Sequence, residues 1–372
     1  MNDKRAPRII ISGGGTGGHV FPAIAIADAI KAKVPGVEIL FVGAQGKIEM
    51  EKVPKAGYSI EGLWISGFQR SLSFRNLLFP VKLIHSLLNA RSILRKFKPQ
   101  VAVGVGGYAS GPLLDMATRK GIPALIQEQN SYAGVTNKLL SQRVQKVCVA
   151  YEGMERFFPA EKIVLTGNPV RRSVAQANDR AAARTHFGLA ADKPTLLIFG
   201  GSLGALSINE AMAQNTDFLR SNTDVQVIWQ CGGSHYEKYQ NCATAQLTNV
   251  KLMAFIDRMD LAYAAADVVC SRAGALTISE LCLVGKPAIL VPSPFVAEDH
   301  QTKNAQALVD KNAAIMVANG DTVAELLPQA LELLKNETKR NTLAQNILAL
   351  AKPNAAEEIA EQVLSLVEKL KS

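Results

Sequence analysis

The feature that most constrains this chain is one local pattern that occurs twice. An apolar run at 8–12 leads into Gly13-Gly14-Gly15-Thr16-Gly17-Gly18 and then a helical stretch at 21–33. A second run at 195–199 leads into Gly200-Gly201-Ser202-Leu203-Gly204 and a helical stretch through Met212. Strand, glycine turn and helix form the opening unit of a doubly wound α/β domain. The two openings lie 187 positions apart in 372 residues, so two tandem Rossmann-like domains with parallel sheets are expected. Short β-branched runs at 38–42, 101–105, 124–127, 146–150 and 163–166 supply further strands to the first. Runs at 225–230, 250–254, 268–271 and 288–292 supply the second. Pro169 restricts Asn168 to extended backbone, so Gly167-Asn168-Pro169-Val170 reads as the hinge. Domains at 1–168 and 169–351 follow, with a final helix at about 352–372. Its Ile359, Val363, Leu366 and Leu370 have helical spacing, which lets it pack on either domain.

Charge is divided unequally between these halves. The chain carries 41 Lys plus Arg against 32 Asp plus Glu, a net of +9. Residues 1–170 hold 22 basic and 11 acidic side chains (+11), and the remainder 19 and 21 (−2). An anionic partner is therefore expected on the first half: nucleic acid, a phosphorylated substrate or an acidic membrane. Between Glu61 and Asp115 there is no acidic residue. There Phe68, Phe74 and Phe79 mix with Arg70 and Arg75, and Lys82, Arg91, Arg95, Lys96 and Lys98 follow. Apolar anchors flanked by cations suit an anionic bilayer, and a core helix with a solvated basic face would read similarly. Basic residues interleaved with stacking aromatics in a nucleic-acid reading motif are not apparent, so no nucleic acid is expected. Nor does any 18-residue apolar stretch exist to span a membrane, and the N-terminus is too polar for a signal peptide. Five cysteines without a C-x-x-C pair fit reduced thiols in the cytosol rather than zinc or disulfides.

Gly13, Gly15 and Gly18 satisfy G-x-G-x-x-G, but a nicotinamide cofactor needs an acidic residue ending the second strand, where Phe41-Val42-Gly43 stands. His19-Val20 occupies the place of the P-loop Lys and Ser/Thr. What remains is a glycine-walled turn suited to a diphosphate, or a tight turn without ligand. His19 opens the helix that follows, where a neutral imidazole could take a proton from an attacking hydroxyl; a structural histidine fits the position equally. A second glycine turn, Gly104-Val105-Gly106-Gly107-Tyr108, and the polar cluster Gln127-Glu128-Gln129-Asn130 also follow strands. So does 271–280, where small residues let a ligand approach and Glu280 either holds sugar hydroxyls or serves the helix dipole. No D-x-D pair or carboxylate cluster appears, so neither a metal nor any other cofactor is expected.

Seven segments in order and spacing resemble the MurG-type transferases: GGGTGGHVFPA, GGYASGP, QEQNSYAGVTNKLLS, TGNPVR, GGSLGA, SRAGALTISEL and DHQTKNA. The resemblance runs from about residue 8 to 310. It implies a GT-B fold, two Rossmann-like domains facing a cleft, with acceptor on the first and donor on the second. It implies inverting transfer of N-acetylglucosamine from its uridine diphosphate to the C4 hydroxyl of undecaprenyl-diphospho-muramoyl pentapeptide. The setting would be the cytoplasmic face of the inner membrane, peripherally bound.

Carried over by position, His19 is the base candidate beside Gly15, Thr16 and Gly17, and Tyr108 belongs to the second turn. Asn130 and Asn137 are expected near the donor or acceptor sugar, Glu128 beside them either binds substrate or is a helix cap or solvated charge, and Arg171 and Ser202 are expected near the leaving diphosphate. Ile256 matches a backbone contact to uracil. Ala275, Leu276, Thr277, Ile278, Ser279 and Glu280 match the donor segment, with Glu280 on the ribose, and Gln301 matches the sugar-binding glutamine. Two departures stand out. Gln127 replaces a histidine that many members carry, and His300-Gln301 replaces paired glutamines. The competing expectations are a related transferase with another lipid acceptor, a UDP-N-acetylglucosamine 2-epimerase of the same fold, and a basic binding module.

Overall fold

A computed structural model describes residues 6–66, 78–170, 174 and 179–368. It divides into two compact units, Met1–Arg171 with Asn354–Ser372, and Arg172–Pro353. In the first, β1 (Arg8–Ser12), β2 (Glu38–Ala44), β3 (Ser59–Leu63), β4 (Val101–Gly104), β5 (Ala124–Glu128), β6 (Lys146–Val149) and β7 (Ile163–Leu165) form one sheet. The order is β3-β2-β1-β4-β5-β6-β7, and every pairing is parallel. The second unit repeats the scheme with β8 (Thr195–Phe199), β9 (Gln226–Gln230), β10 (Val250–Met253), β11 (Val268–Ser271), β12 (Ala288–Leu290) and β13 (Ile315–Met316). Its order is β10-β9-β8-β11-β12-β13, again all parallel. Each sheet therefore reverses direction of growth at its first strand, which makes β1/β4 and β8/β11 the topological switch points at which α/β sheets bind ligands.

The apolar runs are buried because helices cover both faces of each sheet. Along β1, Ile10 joins a core with Leu113 and Leu114 on one face. Ile9 and Ile11 join Ile26 and Ile30 on the other. This second core also takes in Ile359, Ala360, Val363, Leu366 and Val367 of the Ala355–Glu368 helix, which packs on the Gly17–Lys33 helix. Burying Ile359 and Val363 completely contributes about 1.5–3 kcal/mol each. Leu370 lies outside the described residues.

Two strands escape the pattern of apolar runs, and both are edges. In β3 the sequence Ser-Ile-Glu-Gly-Leu alternates and stays half exposed, and β13 is two residues long. Edge strands carry little of the continuous hydrophobicity that marks a covered one. All five cysteines are free, and burial pushes the thiols of Cys148, Cys270 and Cys282 up to about 12. They are packing residues rather than nucleophiles.

Candidate active site

Because all strands of a unit are parallel, the turns that follow them gather on one edge of its sheet. In the first unit the turn after β1 meets the turn after β4 by close backbone contact. The Gly14 amide donates to the Gly106 carbonyl at 3.3 Å. A Cβ on Gly107 would stand 2.2 Å from the Gly14 carbonyl oxygen, and Gly107 has φ +89°, so only glycine fits. Gly106 (φ +85°) serves a different purpose: a Cβ there would lie 2.5 Å from Cδ2 and 2.8 Å from Nε2 of His19. The bare Gly106 backbone is the seat of the His19 ring.

His19 is half-buried in the first turn of the Gly17–Lys33 helix, whose N-cap is Thr16. The Thr16 hydroxyl lies 3.1 Å from His19 Nδ1. Ring orientation is thus set from two sides, by a hydroxyl and by a glycine. Tyr108, half exposed, stands with its ring against Gly15. Gly15, Thr16, Gly17, His19 and Tyr108 therefore share one site at the β1/β4 switch point.

Glu128, Asn130 and Asn137 meet beside it, at the end of β5. Glu128 is buried, and both its oxygens are already engaged. Oε1 accepts from Asn130 N (3.1 Å) and Nδ2 (3.3 Å), and Oε2 accepts from Gly134 N (3.0 Å) and Asn137 Nδ2 (2.9 Å). Burial pushes its carboxyl upward from the usual range, against these four N–H donors. Glu128 braces its own loop. Asn137 Oδ1, in the same cluster, is buried without a hydrogen-bond partner among the described residues.

Gln127, where many MurG-type chains carry histidine, is fully buried in a chain of amides. Its Nε2 donates to Asn168 Oδ1 (2.8 Å), its Oε1 accepts from Gln129, and Asn168 Nδ2 donates to the Gln129 carbonyl (3.0 Å). The side chain is spent on holding the strand end to the Gly167–Asn168 turn, so no proton-transfer role is open to it.

In the second unit Ser202 is exposed on the turn after β8. The Ala275–Val284 helix starts after β11 with Gly274 as N-cap and no side-chain cap, so its first amides face the β8/β11 switch point. Ala275, Leu276, Thr277 and Ser279 are half-buried and Ile278 is buried. Glu280 is buried, with Oε2 accepting from the Tyr263 hydroxyl at 2.9 Å. Gln301 reaches the same edge from the His300–Val309 helix, its Oε1 accepting from Ser293 N at 2.9 Å. Ile256 is buried in the turn after β10. Arg171 lies outside the described residues, as do 68–77 of the basic-apolar stretch.

The family models match in the same two blocks. Residues 9–149 match the glycosyltransferase family 28 N-terminal domain, and residues 195–363 the glycosyltransferase family 28 C-terminal domain. The chain belongs to glycosyltransferase family 28. Within the family it is 56% identical, over 99% of both chains, to a protein of Cytophaga hutchinsonii. That protein is named UDP-N-acetylglucosamine–N-acetylmuramyl-(pentapeptide) pyrophosphoryl-undecaprenol N-acetylglucosamine transferase. A Bacteroides fragilis protein of the same name is 54% identical, over 98% of this chain and 96% of its own. The crystal structure of MurG from Acinetobacter baumannii matches with a TM-score of 0.77 at 31% identity, covering 96% of this chain and 99% of that one. A UDP-N-acetylglucosamine 2-epimerase of Neisseria meningitidis matches at 0.69 with 12% identity, covering 96% of this chain and 100% of that one, a likeness of fold alone.

Three polar residues of this family 28 chain escape a reading of its motifs. Arg272 is half-buried, and among the described residues its acceptors are all neutral. These are the Val291 and Pro292 carbonyls (both 3.1 Å), Asn319 Oδ1 (2.8 Å) and Ser207 Oγ (3.1 Å). Burial brings its guanidinium down to about 10, still charged at neutral pH, with no carboxylate partner among the described residues. It ties four segments of the second unit together and places a positive charge there. Gln230, ending β9, is buried with Oε1 lacking a partner among the described residues. The third is Glu49, fully buried beneath the first glycine turn.

Proposed function

We propose that this chain transfers N-acetylglucosamine from UDP-N-acetylglucosamine to the C4 hydroxyl of undecaprenyl-diphospho-muramoyl pentapeptide, with inversion at the anomeric carbon. The observation that carries this reading is full-length identity of 50–56% to transferases named for that reaction. Acceptor and donor are divided between the units, acceptor on the first and donor on the second. His19 takes the proton of the attacking hydroxyl, supported by its place at a switch point with ring orientation set by Thr16 and Gly106. The amides opening the Ala275–Val284 helix, Ser202 and Arg171 receive the charge that develops on the departing UDP, and Arg272, charged and without a carboxylate partner among the described residues, adds to the positive potential of the second unit. Glu280 holds the ribose, Ile256 the uracil through its backbone, and Gln301 the transferred sugar.

The decisive assay follows donor label into lipid. Label is expected in product with the muramoyl lipid and not with diacylglycerol. Acceptor-free conversion of the donor to its 2-epimer would overturn the reading.

The acceptor is membrane-bound, and the first unit has a surface to meet it. Leu78, the N-cap of the Phe79–Phe97 helix, and Val81, Ile84 and Leu88 on it form an exposed apolar stripe, Ile84 and Leu88 at 60% and 62% exposure. Trp64 stands beside it with Lys82 Nζ 5.6 Å from its ring centroid, and exposed Arg91 and Arg95 continue the same face. None of the described helices is long and apolar enough to cross a membrane. We assign this face to the cytoplasmic leaflet of the inner membrane, held by shallow apolar insertion and cation attraction. The Ile84→Glu/Leu88→Glu double variant is expected to bind phosphatidylglycerol-containing vesicles about tenfold or more weakly in sedimentation. Binding that is equal on neutral vesicles and insensitive to salt would remove the electrostatic part.

A further inference from the structure

One glycine of the turn after β1, Gly14, has no positive φ to explain it, and Glu49 accounts for it. Glu49 begins the short Glu49–Lys55 helix in a charged stretch, Lys47-Ile48-Glu49-Met50-Glu51-Lys52, yet it is 0% exposed. Its Oε2 accepts from the Gly15 amide at 2.8 Å and its Oε1 from the Ala44 amide at 2.9 Å. Among the described residues no cation pairs with it. A Cβ on Gly14 would stand 2.1 Å from Glu49 Oε1, and one on Gly43 would stand 2.5 Å from Glu49 Cγ. Gly14 and Gly43 therefore lack side chains because this carboxylate occupies the space.

A buried carboxylate is costly unless its oxygens are satisfied, so this arrangement holds the turn rigidly or not at all. It also uses the Gly15 amide, one of the donors that a glycine-rich turn would otherwise offer to a diphosphate. The contacts run on without a break. Glu49 grips Gly15 and lies against Gly14; Gly14 lies against Gly106 and Gly107; and Gly106 is the seat of the His19 ring.

We infer that Glu49 is a positioning residue for the transfer reaction: its carboxylate fixes the first glycine turn and, through it, the placement of His19. The inference rests on the reading of His19 as the base. Glutamine cannot replace Glu49, because its amide nitrogen would face one of the two N–H donors, and aspartate is one methylene too short to reach both.

In the full-length protein, Glu49→Gln is expected to lower kcat about 10- to 100-fold while the KM for UDP-N-acetylglucosamine stays within about twofold. A side chain with only a stabilising role would lower the melting temperature without that split. In the His19→Ala background the same substitution should cost nothing further, since there is no ring left to position. A kcat unchanged by Glu49→Gln, alongside a large loss in His19→Ala, overturns the inference and spares the base. Full turnover in His19→Ala overturns the base reading, and with it the role given to Glu49. Should Glu49→Gln fail to fold, the unaltered chain decides by NMR. The Gly15 and Ala44 amide protons are expected downfield and slow to exchange. A Gly15 amide that exchanges like an exposed loop amide overturns the inference.

Discussion

His19→Ala should lower turnover with the muramoyl lipid about 10²- to 10⁴-fold, the range removed with a general base, and leave UDP affinity unchanged. The split follows from where the groups sit. His19 belongs to the β1/β4 edge of the first unit, whereas Glu280, Ser202 and Gln301 belong to the second. Removing the imidazole leaves those groups, proposed to hold the donor, as they were. An inverting displacement is one step, with hydroxyl deprotonation and departure of UDP in the same transition state, so the loss appears in kcat. Calorimetric titration with UDP gives the affinity, and donor-label transfer gives kcat. An unchanged kcat removes His19 from the mechanism, and an equal loss of UDP affinity would assign it to binding. Thr16→Val tests orientation separately: without the hydroxyl 3.1 Å from Nδ1, the ring loses one of its two constraints, and a smaller fall in kcat is expected.

How far this site could be read from sequence depends on how far each side chain acts from its own motif. The strands with continuous apolar runs were legible because a covered parallel strand must be apolar on both faces. The meeting of His19, Thr16 and the Gly106-Gly107 turn at one sheet edge was legible because turns that follow parallel strands gather there. Glu49 was not. Its neighbours read as a solvated charged helix, and only the fold brings it under Gly14 and Gly15, more than 30 positions earlier. Arg272 was visible inside SRAGALTISEL, but its bonds to Ser207, Val291, Pro292 and Asn319 are long-range. Gln127 stands where many members carry histidine. In place it is a link between β5 and Asn168, a role that needs an amide able to donate and accept at once. Local pattern located the edges of the two sheets; which side chains are spent on structure there is decided by packing between segments distant in sequence.

Glu280→Ala should raise the KM for UDP-N-acetylglucosamine about 10²-fold or more, with kcat reduced far less. A carboxylate accepting from sugar hydroxyls makes charge-assisted hydrogen bonds of about 1.5–3 kcal/mol each, and two such bonds together exceed two decades of affinity. Those bonds form equally in ground and transition states, since the ribose is remote from the breaking glycosidic bond, so the loss is one of uniform binding. The geometry suits the role proposed for Glu280. The side chain is buried in the Ala275–Val284 helix, and the Tyr263 hydroxyl holds Oε2 at 2.9 Å, which fixes its rotamer before the nucleotide arrives. Tyr263→Phe should accordingly raise the KM several-fold by releasing the carboxylate, less than Glu280→Ala and in the same direction. The dipole-only alternative gives a different result. An acidic group interacting with a helix terminus contributes about 0.3–1 kcal/mol to stability and nothing specific to the donor. On that account Glu280→Ala would lower the melting temperature slightly and leave the KM for the donor where it was.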